Sequence, residues 1–253
     1  MKLLLVIPCL RESARLPGFL PGLLGALQPL GSRVEVLTVD DGSGAGEQAW
    51  LRNYCEEMRR EFASLRLPLL LPENAGKGGA VYAGWATAGA EVTHLAFVDA
   101  DGAIPPREAI RLIHLAPGVP DSACYGIRTG ADGTLVERTL GRKIAGLVFR
   151  GIVKTLFRFP LPDTQCGFKI VPAAAWHLCR PHLRENRFCF DVDLTWHLLR
   201  QGTPLLAVPI DWSERPGSRL RPGSVWGMVS SLWTLRQRLG SWRVPAVGSA
   251  ACP

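Results

Sequence analysis

Four short apolar runs in the first hundred residues each end in a cluster of acids or glycines, with a helical pattern between each run and the next. The runs are Leu3–Pro8, Val34–Val39, Arg66–Leu71 and Thr93–Val98. The helical patterns are Ala14–Leu27, Glu47–Phe62 and Lys77–Gly89. This β-α-β-α-β-α-β order predicts an α/β fold with a mostly parallel central sheet and helices on both faces. In such a sheet the loops that follow the strands lie on one edge, where open α/β sheets bind ligands. Pro8–Glu12, Asp40-Asp41-Gly42-Ser43, Asn74–Ala80 and Asp99–Gly102 therefore converge.

The second half reads as a helix at Arg107–Leu115, a strand at Ala123–Ile127 and a loop at Thr129–Gly133. A long helical pattern follows at Arg138–Phe159, then a mixed turn and strand at Asp163–Val171. Phe190–Arg200 is helical, Leu205–Ile210 a strand, Ser213–Gly223 a loop rich in Arg and Pro, and Ser224–Leu239 a last helix. No repeat or linker divides the chain, so 1–239 is expected to form a single domain, with 240–253 a flexible tail.

Asp99-Ala100-Asp101 carries the most pointed chemistry. Two carboxylates at a strand end suit one hard divalent cation, Mg²⁺ or Mn²⁺, shared with substrate phosphates; two solvated turn acids are the alternative. Asn74–Ala80 opens a helix, so its early amides and Lys77 can face an anion, or Lys77 is simply solvated. Asp40 and Asp41 either bond a base or ribose or make an Asx turn. A P-loop is excluded because the GxxxxGK[ST] spacing is absent. A redox dinucleotide fold is excluded because no GxGxxG follows the first strand.

The net charge of +7 calls for an anionic partner, and Arg suits bidentate phosphate contacts. No aromatic-interleaved basic stripe points to nucleic acid. None of the seven cysteines forms a CxxC pair, so reduced, buried thiols are expected. No stretch reaches the roughly 20 apolar residues of a membrane span, and Leu3–Ile7 is too short for a secretory signal.

Together these residues resemble family-2 glycosyltransferases of the GT-A fold, a Rossmann-like architecture. The initial strand into Ile7-Pro8, Glu12, Val39–Ser43, Asn74–Gly78 and Asp99–Gly102 stand in that family's order. Gly126-Ile127-Arg128, Asp163–Lys169 and Arg187–Asp193 are similar to the polyprenyl-phosphate branch, which includes dolichyl-phosphate glucosyltransferases and mannose synthases. Leu10-Arg11-Glu12 departs from the usual Tyr-Asn-Glu. Ala103 stands where mannose synthases often carry Gln, which tilts the resemblance to the glucosyl type.

The resemblance implies a nucleotide-binding half at 1–116 and an acceptor-binding half at 117–239. It implies a nucleotide pocket lined by Pro8, Glu12, Asp40, Lys77, Asp99 and Ala100. Asp101 would be the principal metal ligand with Asp99 beside it, and Arg215 and Arg219 would close over the diphosphate. Arg128 would face an acceptor phosphate, helped by Arg138 or Arg142. Asp163, Gln165 and Asp191 would lie near the donor sugar and acceptor, unless Asp163 caps a turn and Asp191 starts a helix. The implied reaction moves a hexose with inversion from UDP-glucose, or alternatively GDP-mannose, to a polyprenyl phosphate. A non-lipid acceptor and a non-catalytic nucleotide-sugar-binding protein are the other readings.

A lipid acceptor demands access to a bilayer, and a peripheral protein on the cytoplasmic membrane face is expected. In the 138–159 helix, Lys143, Arg150, Lys154 and Arg158 form a basic stripe. Ile144, Val148, Ile152, Leu156 and Phe159 share the opposite face, continued by Phe149, Val153 and Phe157. This suits an interfacial helix, or a core helix with a solvated basic edge. Val225–Leu239, with Trp226, Met228, Leu232 and Trp233, is a second candidate.

Overall fold

The computed structural model describes residues 1–131, 133–137, 139–215 and 222–240. Its strands are β1 (Leu3–Cys9), β2 (Val34–Asp40), β3 (Leu69–Leu70), β4 (His94–Val98), β5 (Ala123–Ile127), β6 (Val136–Glu137), β7 (Phe168–Pro172), β8 (Leu205–Pro209) and β9 (Trp212–Ser213). Its helices are α1 (Leu20–Leu27), α2 (Ala45–Met58), α3 (Lys77–Trp85), α4 (Pro106–Leu115), α5 (Leu140–Phe157), α6 (Ala173–Cys179), α7 (Phe190–Arg200) and α8 (Pro222–Leu239).

Among the described residues, seven strands form one sheet in the order β3-β2-β1-β4-β7-β5-β8. All neighbours are parallel except β7, which runs antiparallel between β4 and β5. The carboxyl ends of β1, β2, β4, β5 and β8 thus share an edge with the segment entering β7. That reversal brings Asp163–Gly167 to the same place as Asp99 and Asp101.

Alternation along β1 shows why the sheet is covered twice. Leu3, Leu5 and Ile7 pack with Leu23 of α1, Leu51 of α2 and Leu112 of α4. Leu4 and Val6 pack on the opposite face with Trp85 of α3, Trp176 of α6 and Leu194 of α7. Successive strand side chains point to opposite faces, and burying each large apolar one contributes roughly 1.5–3 kcal/mol. A third cluster joins Phe149, Val153 and Phe157 of α5 to Trp196 of α7 and Leu232 and Leu235 of α8.

Local chemistry adjusts several expected boundaries. The 66–71 run shortens to Leu69–Leu70, although Arg66 still donates to the Val36 carbonyl at 2.8 Å. Pro68 lies between the two pairings and has no N–H to offer a ladder. The Ala14–Leu27 pattern splits into a 3₁₀ turn at Leu16–Gly18 and α1, with Pro17 and Pro21 each near a new helix start. Helix α6 and the parallel β6–β9 pair were not expected from the sequence. β6–β9 ties the 212–215 segment to 136–139, with Glu214 accepting from Thr139 N–H at 2.8 Å.

On α5 the buried face is Phe149, Val153 and Phe157, whereas Val148, expected beside Ile152 and Leu156, is 56% exposed. Leu147 is 55% exposed, and Lys154 and Arg158 also face solvent. Packing against α7 and α8 selects the phenylalanine side. Arg138, Arg219 and the tail beyond Gly240 lie outside the described residues, as do the side chains of Arg142, Lys143, Ile144, Trp226 and Met228. No described helix is long and apolar enough to cross a membrane. Six cysteines are buried free thiols, and Cys252 lies outside the described residues.

Candidate functional site

Strand β4 delivers Asp99, Ala100 and Asp101 to the shared edge. Asp99 meets Lys77, the first residue of α3, at 2.6 Å. Asp101 accepts the Ala103 N–H at 3.0 Å. Burial, followed by the charge of Asp99, raises the Asp101 carboxyl above its ordinary range. Arg15 lies within electrostatic reach of both acids, while its guanidinium pairs with Glu12. Room for Asp99 depends on Gly167, because a Cβ there would stand 2.0 Å from Asp99 Oδ2.

Two carboxylates one residue apart, with Asp101 made costly to ionise by burial and then by its neighbour, fit a hard divalent cation. Among the described residues no group of three His, Cys, Asp or Glu side chains encloses a metal. That donor set matches an ion completed by substrate phosphates and water.

The acids after β2 face inward. Asp40 Oδ1 accepts the Ser43 N–H and Gln48 Nε2, both at 2.9 Å. Asp41 accepts Asn74 Nδ2 at 2.9 Å and the Ala75 N–H at 2.7 Å, so it holds the loop before α3. Gly42, at φ +66°, touches that loop so closely that a Cβ would stand 2.4 Å from the Glu73 backbone.

The glycines of the 74–80 segment have a partner within the chain. A Cβ on Gly78 would stand 2.4 Å from Phe190 Cβ, and the Gly79 N–H donates to the Asn186 carbonyl at 3.0 Å. One of the early helix amides expected to face an anion is therefore used in packing α3 against the 186–190 turn. Pro8 is partly exposed at the same edge, and Ala100 is buried.

Two ion pairs dominate the β5–β7 side. Arg128 grips Asp163 at 2.7 Å through Nε and 3.0 Å through a terminal nitrogen, and stacks over Trp212. The Gln165 N–H adds a bond to Asp163 at 3.0 Å. Burial opposes the Asp163 charge, but Arg128 overrides it and brings the carboxyl down to about 2. Gln165 itself donates to the Phe188 carbonyl at 3.3 Å.

The second pair, Lys169–Asp191, spans 2.7 Å and is closed to solvent. Lys169 also donates to the Cys166 carbonyl at 2.8 Å and lies over the Phe97 and Tyr125 rings. Burial pushes Asp191 up, opposed by Lys169 and then by Lys77.

Arg215 reaches back to the Gly102 carbonyl at 3.2 Å, and the Ser213 N–H donates to the Ala103 carbonyl at 3.0 Å. The 212–215 segment is thus seated on the Asp101 turn. The sequence reading missed Arg15, Gly167 and Lys169. A lysine inside the apolar run Phe168–Pro172 was the available signal, since a charge in a buried strand demands a partner.

The fold and this edge define a class: an open α/β sheet that gathers acids, a lysine and arginines at the carboxyl edge of its strands. Residues 4–175 match the family model described as glycosyl transferase family 2, and the chain belongs to that family. It is a glycosyltransferase with the GT-A architecture.

It is 29% identical over 253 residues to a dolichyl-phosphate β-glucosyltransferase of Dictyostelium discoideum, covering 94% of this chain and 76% of that protein. The human protein of the same description is 28% identical, with 96% and 78% covered. A glucosyl-3-phosphoglycerate synthase from M. tuberculosis superposes with a TM-score of 0.65 at 16% identity, covering 93% of this chain and 80% of that one. A mannosyltransferase from Pyrobaculum calidifontis, solved with GDP-Man and Mn²⁺, also gives 0.65 at 14% identity, covering 96% and 66%.

Proposed function

We propose that the chain transfers glucose from UDP-glucose to a dolichyl or related polyprenyl phosphate, inverting the anomeric centre to give a β-linked lipid phosphate sugar. The relatives named dolichyl-phosphate β-glucosyltransferase, matched over nearly the whole chain, support the donor sugar and the acceptor. The observation that carries the reading is how the acids at the sheet edge are committed. Asp40 and Asp41 hold loops, Asp163 holds Arg128 and Asp191 holds Lys169 in closed pairs, whereas Asp101 and Asp99, the latter paired with the partly exposed Lys77, stand on the open edge as the pair for a metal.

Asp163, at about 2, is a poor proton acceptor. An acceptor phosphate is already anionic at neutral pH and requires no strong base, unlike a hydroxyl acceptor. Asp101 and Asp99 would hold Mg²⁺ or Mn²⁺, which as a Lewis acid offsets charge on the leaving diphosphate. Lys77 and Arg215 add positive charge on the same edge, and Arg219 belongs to the same loop in sequence. Pro8, Glu12, Asp40 and Ala100 shape the nucleoside side, Asp40 through its turn. Arg128, pre-aligned by Asp163, faces the acceptor phosphate with Gln165 beside it. Aligning two reactants in this way removes much of the entropic barrier.

The same reading places the protein peripherally on the cytoplasmic membrane face. Leu147, Val148 and the 59%-exposed Trp233 present apolar surface near Lys154 and Arg158. Exposed apolar groups with a cationic rim suit an anionic bilayer surface.

The test is incubation of the purified protein and Mg²⁺ or Mn²⁺ with a panel of nucleotide sugars and a polyprenyl phosphate, with products read by mass. A lipid-linked hexose formed from UDP-glucose is expected. Preference for GDP-mannose would change the donor, and transfer only to a non-lipid acceptor would overturn the acceptor.

A further inference from the structure

Lys77 stands between two carboxylates. It touches Asp99 at 2.6 Å, its ammonium lies 5.4 Å from the Phe97 ring and 5.9 Å from the ring of Phe190, the residue before Asp191, and the charge of Asp191 also acts on it. Only Asp99 lies on the open edge; Asp191 is 3% exposed. What distinguishes the two acids is Lys169, which is completely buried and takes Asp191 at 2.7 Å. Its ammonium shares the Phe97 ring with Lys77, at 5.0 Å. The cluster therefore alternates in sign: Asp99, Lys77, Asp191, Lys169.

We infer that Lys169 is a positioning residue that keeps Lys77 at the nucleotide edge by satisfying Asp191. In a low-dielectric interior an uncompensated carboxylate attracts any mobile cation within reach. Lys77 is the available cation, on a flexible stem with three donors. Without the Lys169 charge, Lys77 turns inward to Asp191 and leaves Asp99 and the diphosphate. The selection is built by the sheet reversal: β7 runs antiparallel beside β4, placing Lys169 opposite Phe97 in register, below the Asp99 turn. This inference rests on the reading that Lys77 meets the diphosphate of the donor.

The test is calorimetric titration of UDP with Mg²⁺ into the full chain, with thermal melts to establish folding. Lys169→Gln keeps an amide for the Cys166 carbonyl and Asp191 while removing the charge. Lys169→Met supplies the same comparison without the hydrogen bond to the Cys166 carbonyl. Either is expected to weaken UDP binding about tenfold, and to raise KM for the nucleotide sugar more than it lowers kcat. The double variant Lys169→Gln/Asp191→Asn, in which no buried charge remains to draw Lys77, is expected to recover UDP binding to within threefold of the native chain.

In a Lys77→Met background, Lys169→Gln should cost nothing further, because the residue through which it acts is gone. A general structural disturbance would persist in that background. Undiminished UDP binding in Lys77→Met overturns the nucleotide reading of Lys77. A loss in Lys77→Met without one in Lys169→Gln, or without recovery in the double variant, overturns the positioning role alone. If both single Lys169 variants unfold, the neutral double variant decides: UDP binding weakened as far as in Lys77→Met contradicts the inference.

Discussion

The acids after β4 and the acids around β7 are the same residue type at the same edge, yet they are held differently. Asp99 and Asp101 sit on a partly exposed turn beside a lysine that reaches one of them. Asp163 and Asp191 are closed off, each locked to one cation of the β5–β7 half, Arg128 or Lys169. A carboxylate in the first setting can take a new partner when a ligand arrives. One in the second setting gives up its partner only at several kcal/mol, because a buried charge would be left behind. On the proposed function, the first pair faces the ligand, while the second pair holds cations.

The largest separation of the two settings is expected in turnover. Asp101→Asn keeps the shape of the turn but removes a charge from the metal-fitting pair. Hexose transfer measured at saturating Mg²⁺ should fall by about 10³-fold, with the urea midpoint almost unmoved. Stability should show the reverse pattern. Arg128→Met strands Asp163 in the interior and should lower unfolding free energy by about 3 kcal/mol in urea titrations. Arg128→Met with Asp163→Asn should regain part of that loss.

Acid should find the same pair. The folded pKa of Asp163 is depressed to about 2 from an ordinary 3.8. Its stabilisation is complete above pH 4 and is lost as pH falls from about 4 to about 2. The amount is about 2 kcal/mol, seen as a flatter acid limb of stability against pH in Asp163→Asn. A smaller effect is expected at Gly167, whose missing Cβ makes room for Asp99. Gly167→Ala should displace that carboxylate and reduce turnover by about tenfold, with more Mg²⁺ needed for half-maximal rate.

The open setting was the legible one. Apolar runs ending in Asp40-Asp41-Gly42 and Asp99-Ala100-Asp101 announce strand ends, and parallel order alone brings them to one edge. The closed setting depends on pairings distant in sequence. Asp163 finds Arg128 across 35 residues, and Lys169 finds Asp191 only because β7 reverses direction and faces α7. Gly78 misled for a related reason. Its local signal is that of a phosphate-cradling helix start, while the space it vacates is filled by Phe190, more than 100 residues away. The placement of candidate residues was legible where one strand and its turn carry it, and hidden where two distant segments must meet.

The measurement that bears most directly on this contrast is Mn²⁺ binding in the presence of UDP, followed by the loss of the free-ion paramagnetic resonance signal. Native chain, Asp99→Asn, Asp101→Asn and Asp163→Asn would be compared, each shown to be folded. The account expects Mn²⁺ uptake to collapse in the two β4-turn variants and to stay within a few-fold of native in Asp163→Asn. Uptake retained in Asp101→Asn and lost in folded Asp163→Asn would contradict it.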